Sequence, residues 1–104
     1  MNKFDERKKS FENKFAKDQE LQFKVSAKRN KYLAEWVGSK LGKNDEQRQN
    51  YVQEVIKADL EEAGDEDVFR KVKKDFENSA INMDDSEIRN QMSLALERAK
   101  EDFK

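Results

Sequence analysis

Carboxylates, amines, guanidiniums and aromatic rings carry whatever chemistry this chain performs, because its 104 residues include no His and no Cys. Without His, the usual general base near neutral pH and the commonest metal ligand are missing. Without Cys, there are no thiolate nucleophiles, no cysteine zinc sites and no disulfides. Two charged clusters remain. The acidic set Asp59, Glu61, Glu62, Asp65, Glu66 and Asp67 has the residue types for a cation site. It lacks the glycine at the sixth loop position and the closing glutamate of a calcium loop. Acids in a first helical turn are in any case favoured by the helix dipole. The basic set Lys24, Lys28, Arg29 and Lys31 suits phosphate contacts, and a solvated helix face accounts for it equally well. The net charge is −1, and no recognition motif or stacking array accompanies these cations, which speaks against nucleic acid. No glycine-rich phosphate loop is present. These residues spell neither an enzyme nor a metal protein.

Aromatic spacing gives a different signal. Phe4, Phe11 and Phe15 are separated by seven and four residues. On a helix they fall within about a 40° arc of one face. Their neighbours are almost all charged: Lys3, Asp5, Glu6, Arg7, Lys8, Lys9, Glu12, Lys14, Lys17 and Asp18. A core helix carries a wider apolar stripe. Three large anchors in a solvating setting therefore suit an arm that folds into a partner's groove. The competing reading has these rings packing on the rest of the chain, with the arm continuing the first long helix. Tyr32 and Trp36, by contrast, sit at core spacing.

The elements that would position these residues are helical throughout. No Pro interrupts the chain. A first long helix is expected from about Asp18 to Leu41, with Leu21, Val25, Tyr32, Leu33, Trp36, Val37 and Leu41 on its apolar stripe and Gly42 as its stop. Gly38 marks fraying or a close helix contact. Asn44 with Gln47 reads as a capping box opening a second helix, whose face is Tyr51, Val52, Val55, Ile56, Leu60 and Ala63 and whose end is Gly64. Asp65 caps a third, with Val68, Phe69, Val72, Phe76 and Ala80 on its stripe. Asp84 with Glu87 forms a second capping box, and Met83 with Ile88 a hydrophobic staple. The last face runs through Ile88, Met92, Ala95, Leu96, Ala99 and Phe103. Loops of two to four residues make successive helices antiparallel neighbours. The expected fold is all-α: a four-helix bundle over residues 19–104, preceded by an arm over 1–18. Charged residues reach 43% and apolar ones 35%, which suits slender helices with one narrow buried stripe each.

Charge is distributed unevenly. Residues 1–43 carry 12 Lys/Arg against 6 Asp/Glu, and residues 44–104 carry 10 against 17. Such asymmetry concerns partners and steering rather than fold. The longest apolar runs span two or three residues, as at Tyr32-Leu33-Ala34, far short of the roughly 18 that cross a bilayer. With no signal-peptide core at the N-terminus, the expected location is cytoplasmic.

The stretches FENKFAKDQELQFK (Phe11 to Lys24) and AKRNKYL (Ala27 to Leu33), Trp36, Leu41-Gly42, and YVQEVIKADLEEAGDEDVFRKV (Tyr51 to Val72) resemble one family. It is the alphaproteobacterial zeta subunit, an inhibitor of the ATP synthase. Leu60 and Ala63 depart from its pattern, which has Phe and Pro there. The resemblance implies a four-helix bundle with a mobile, helix-prone inhibitory arm. That arm enters a catalytic interface of the synthase's soluble sector and blocks hydrolytic rotation. The resemblance places the inhibitory segment from about Asp5 to Asp18, with Phe11, Glu12, Lys14 and Phe15 in the matching motif. With Phe4 from the aromatic spacing, the residues expected at the partner are Phe4, Asp5, Arg7, Phe11, Glu12, Lys14 and Phe15. The resemblance also implies a protein that is monomeric when free and peripherally associated with the membrane-bound synthase, without insertion into the membrane. No cofactor is expected. Some relatives bind adenine nucleotides, but no motif here places such a site. The alternative is a cytoplasmic helical adaptor or regulator that binds an unknown protein through the bundle surface.

Overall fold

Local signals decide where most helices begin and end. The computed structural model describes residues 11–61 and 65–104, and the regular structure among them is helical, with no strand. Among the described residues there are five helices: α1 (residues 11–17), α2 (Gln19–Lys40), α3 (Asp45–Asp59), α4 (Glu66–Asn78) and α5 (Asp85–Glu101). The additional one, α1, lies within the arm. It is not a continuation of the first long helix, because Asp18 interrupts them in an extended conformation. There Asp18 caps α2, its carboxylate accepting from the Leu21 amide at 3.2 Å.

The stop of α2 follows the Gly42 expectation. Gly42 takes a φ of +73°, its amide donates to Ser39 O at 3.2 Å, and Lys43 N donates to Gly38 O at 2.9 Å. This pair of bonds is a Schellman motif. Asn44 and Gln47 then exchange both capping-box bonds at 2.9 Å. Gly38 is a close contact rather than a frayed turn: a Cβ there would lie 2.7 Å from Arg48 Cγ on α3.

Four expectations fail, the first three for identifiable reasons. α3 ends at Asp59, before the expected Gly64, which lies outside the described residues together with Glu62 and Ala63. The Asp59 carboxylate is drawn to Arg29 and Asn30 of α2. Leu60, about 100° further round the axis, consequently faces solvent at 69% exposure instead of joining the buried face. Asp65 occupies the cap position of α4 but makes no cap bond, because its carboxylate is held by Arg29. Asp84 likewise makes no cap bond, and Glu87 Oε1 instead accepts from Gln91 Nε2 at 2.9 Å. The staple residues Met83 and Ile88 do pack into the same cluster.

Ala80 is also displaced from the stripe expected of it. It ends α4 with a φ of +57°, its amide donating to Glu77 O at 3.0 Å while Ile81 N donates to Phe76 O at 2.9 Å. This is the same Schellman geometry with a Cβ where glycine is preferred. The left-handed conformation costs an L-residue roughly 1–2 kcal/mol, offset in part by the greater unfolded-state entropy of glycine. Ala80→Gly is expected to stabilise the fold by about 0.5–1 kcal/mol, raising the melting midpoint by roughly 2–6 °C. Thermal unfolding followed by circular dichroism checks this.

α2 packs against both α3 and α5, α3 against α4, and α4 against α5. The main core draws Leu33, Ala34 and Val37 from α2, Tyr51 and Val55 from α3, Val68, Phe69, Val72 and Phe76 from α4, and Ile88, Met92 and Ala95 from α5. Trp36 meets the Phe76 ring edge-on, with centroids 5.7 Å apart. With 22 and 17 residues, α2 and α5 are longer than α3 and α4, which have 15 and 13. Leu21 and Val25 of α2 join Ala99 of α5 in a separate apolar cluster. The residue that completes this cluster is Phe11 of α1.

Candidate partner-binding site

Of the seven residues expected at the partner, Phe4, Asp5 and Arg7 lie outside the described residues. Phe11, Glu12, Lys14 and Phe15 share α1, whose two rings stack with centroids 6.3 Å apart and planes inclined by 14°. The stripe faces inward. Phe11 is only 8% exposed, against Leu21, Val25 and Ala99. Phe15 is half-buried beside it, where Leu96 and Phe103 also pack. Lys14 points to solvent.

Polar contacts fasten the same segment. Gln22 Nε2 on α2 donates to Phe15 O at 2.8 Å and to Ala16 O at 3.2 Å. From α5, Lys100 Nζ lies 4.9 Å from the Phe15 centroid and 3.5 Å from Glu12 Oε2. Lys104 Nζ stands 5.6 Å from the Phe11 centroid. Cation–π contacts of this kind contribute about 0.5–1 kcal/mol at exposed sites. The sequence reading missed Gln22, Lys100 and Lys104 as arm contacts. The signal for the cradle was the length of the last stripe: Leu96, Ala99 and Phe103 extend it beyond Ala95, the last α5 residue of the main core.

The two charged clusters, read separately in the sequence, meet at Arg29, and their other paired members find partners outside both sets. Arg29 is 4% exposed and pairs with Asp59 at 3.0 Å and with Asp65. Its Nε donates to Asn30 Oδ1, and Asn30 Nδ2 donates to Asp59 Oδ2, both at 3.0 Å. Glu66 accepts from Arg89 at 2.9 Å, and Asp67 pairs with Arg70. Lys24 pairs with Glu20, and Lys28 lies 4.0 Å from Asp102. Tyr51 is equally structural: burial and then its 2.6 Å hydrogen bond to Asp75 push the phenol pKa up, so it stays a protonated donor.

Elsewhere the surface exposes two large apolar side chains on one groove. Phe23 and Leu60 are 64% and 69% exposed, and they line a groove of about 230 Å³ with Ala27 and Ile56. Among the described residues, no helix is long and apolar enough to cross a membrane.

One family, described as ATPase inhibitor subunit zeta, matches residues 1–102, the arm included. No curated protein matches the chain.

Proposed function

We propose that this chain, which belongs to the ATPase inhibitor subunit zeta family, restrains ATP hydrolysis by a bacterial ATP synthase through its N-terminal arm. The arm, residues 1–18, inserts as a helix into a catalytic subunit interface and blocks hydrolytic rotation. The four longer helices serve as a four-helix bundle that carries it. The protein is regulatory rather than catalytic, is monomeric when free, and stays at the membrane only through the synthase. In this reading inhibition needs no cofactor held by the chain.

The observation that carries the reading is the separate helix α1. It presents Phe11 and Phe15 on one face and is divided from α2 at the extended Asp18. A short helix with its apolar anchors on one face, at i and i+4, is the form that helix-in-groove recognition uses. Phe11 and Phe15 are the anchors, and Glu12, Lys14, Asp5 and Arg7 orient the helix at the rim, where charges act mainly on encounter.

The second reading, an adaptor binding through the bundle surface, draws on exposed Phe23 and Leu60. Capture from a membrane extract of the source bacterium separates the two. The full chain is expected to retain synthase catalytic subunits, and a chain lacking residues 1–18 is expected to lose them. Equal retention by both would transfer the binding site to the bundle surface.

A further inference from the structure

We infer that the α2–α5 end of the molecule is a cradle for its own inhibitory segment, so that inhibition is gated by a latch. With α1 docked the inhibitor is idle, and with α1 released it can engage the synthase. The inference rests on the reading of the arm as the inhibitory element, and concerns how that element is regulated.

One face of α1 cannot serve two surfaces at once. Phe11, 8% exposed, is already spent on Leu21, Val25 and Ala99. Phe15 is stacked on it beneath Lys100. The docked pose is also specific, not a generic collapse of apolar rings. Gln22 reads two carbonyls near the end of α1, and Lys100 reaches both the Glu12 carboxylate and the Phe15 ring. Release is local. The main core takes its twelve buried residues from α2 to α5 and none from α1, so undocking leaves it intact. Asp18, extended between the two helices, is the single point about which the segment would swing. A partner that binds only the released form meets an apparent affinity lowered by the fraction released. The cradle thus sets the inhibitory threshold.

The test measures ATP hydrolysis by the cognate soluble synthase sector titrated with full-length protein. The chain contains no Cys, so Glu12→Cys with Lys100→Cys supplies a unique pair for a short, reducible bis-thiosulfonate bridge. Relative to the same Cys variant before bridging, bridging should raise the half-inhibitory concentration at least tenfold, and reduction should return it to that variant's own value. Gln22→Ala, which loosens the cradle, should instead lower the half-inhibitory concentration two- to threefold relative to wild type. Equal inhibition by the bridged and reduced forms, or unchanged or weaker inhibition by Gln22→Ala, overturns the latch. If Phe11→Ala with Phe15→Ala abolishes inhibition in that same experiment, the arm reading survives the latch. If this double variant inhibits like wild type, the arm reading falls and the latch with it.

Discussion

Replacing Phe11 and Phe15 together by Ala is expected to abolish inhibition of ATP hydrolysis. Full burial of an aromatic ring contributes roughly 1.5–3 kcal/mol, so the pair supplies about 3–6 kcal/mol to a partner interface. At about 1.4 kcal/mol per tenfold, the half-inhibitory concentration rises by roughly 10² to 10⁴. The substitutions also free α1 from the bundle, which offsets a small part of this loss. Stability responds differently. A Phe→Ala change in a rigid core costs about 3–5 kcal/mol, but here the cost is capped by the docking free energy of α1. Once the segment has undocked, its side chains no longer matter to the rest. The melting midpoint should therefore fall only modestly while inhibition disappears. Steady-state hydrolysis assays and thermal melts of the same preparations test the two halves. A double variant that inhibits like wild type would sink the arm as the inhibitory element.

Arg29→Ala is expected to be the most damaging substitution of a charged residue away from the arm. The guanidinium is 4% exposed and serves Asp59, Asp65 and Asn30 together. Removing it leaves Asp59, with a side chain 17% exposed, facing Asn30 without its cation. Breaking a buried pair from one side costs about 3–5 kcal/mol. Asp65 is 53% exposed and can turn to water, which places the expected loss nearer 2–4 kcal/mol, since surface pairs contribute less. Against the roughly 5–15 kcal/mol of an ordinary domain, this is a large share, equivalent to about 10–25 °C in melting midpoint. Chemical denaturation of the variant checks it. A loss below about 1 kcal/mol would mean that water replaces the network at little cost. Arg29→Met, which keeps the stem volume, should lose less than Arg29→Ala if packing contributes.

Patterns confined to one helix could be read from the chain. The stripes of α2 and α5, the Asn44–Gln47 box and the Gly42 stop depend on neighbours a few residues apart, and they stand where the spacing puts them. What could not be read depends on partners far along the chain. Arg29 looked like part of a basic face because Asp59 and Asp65 are 30 and 36 residues away. Their capture by Arg29 also explains why Leu60 faces outward and why Asp65 is no cap. In the Asp84–Glu87 box the Glu87 side chain is taken by Gln91 on the same helix, and nothing in the structure explains the missing Asp84 cap bond. Periodicity cannot rank two partners for one carboxylate. At the candidate site, the one-sided Phe spacing of α1 was legible, but the surface it rests on was not. Spacing shows which residues share a face, not what that face meets.

Tyr32 is the residue on which the two apolar clusters converge. It packs against both, its hydroxyl is bonded to Asp102, and its ring lies 3.9 Å from the Arg98 guanidinium. A molecule joined this way need not unfold as a single unit. The end holding Phe11, Leu21, Val25 and Ala99 can open sub-globally while the main core stays closed, because Tyr32 is the side chain common to both clusters even though α2 and α5 run through each. The free energy that keeps the protein folded and the free energy that keeps its arm at home are then separate quantities. Sequence change can tune one without spending the other.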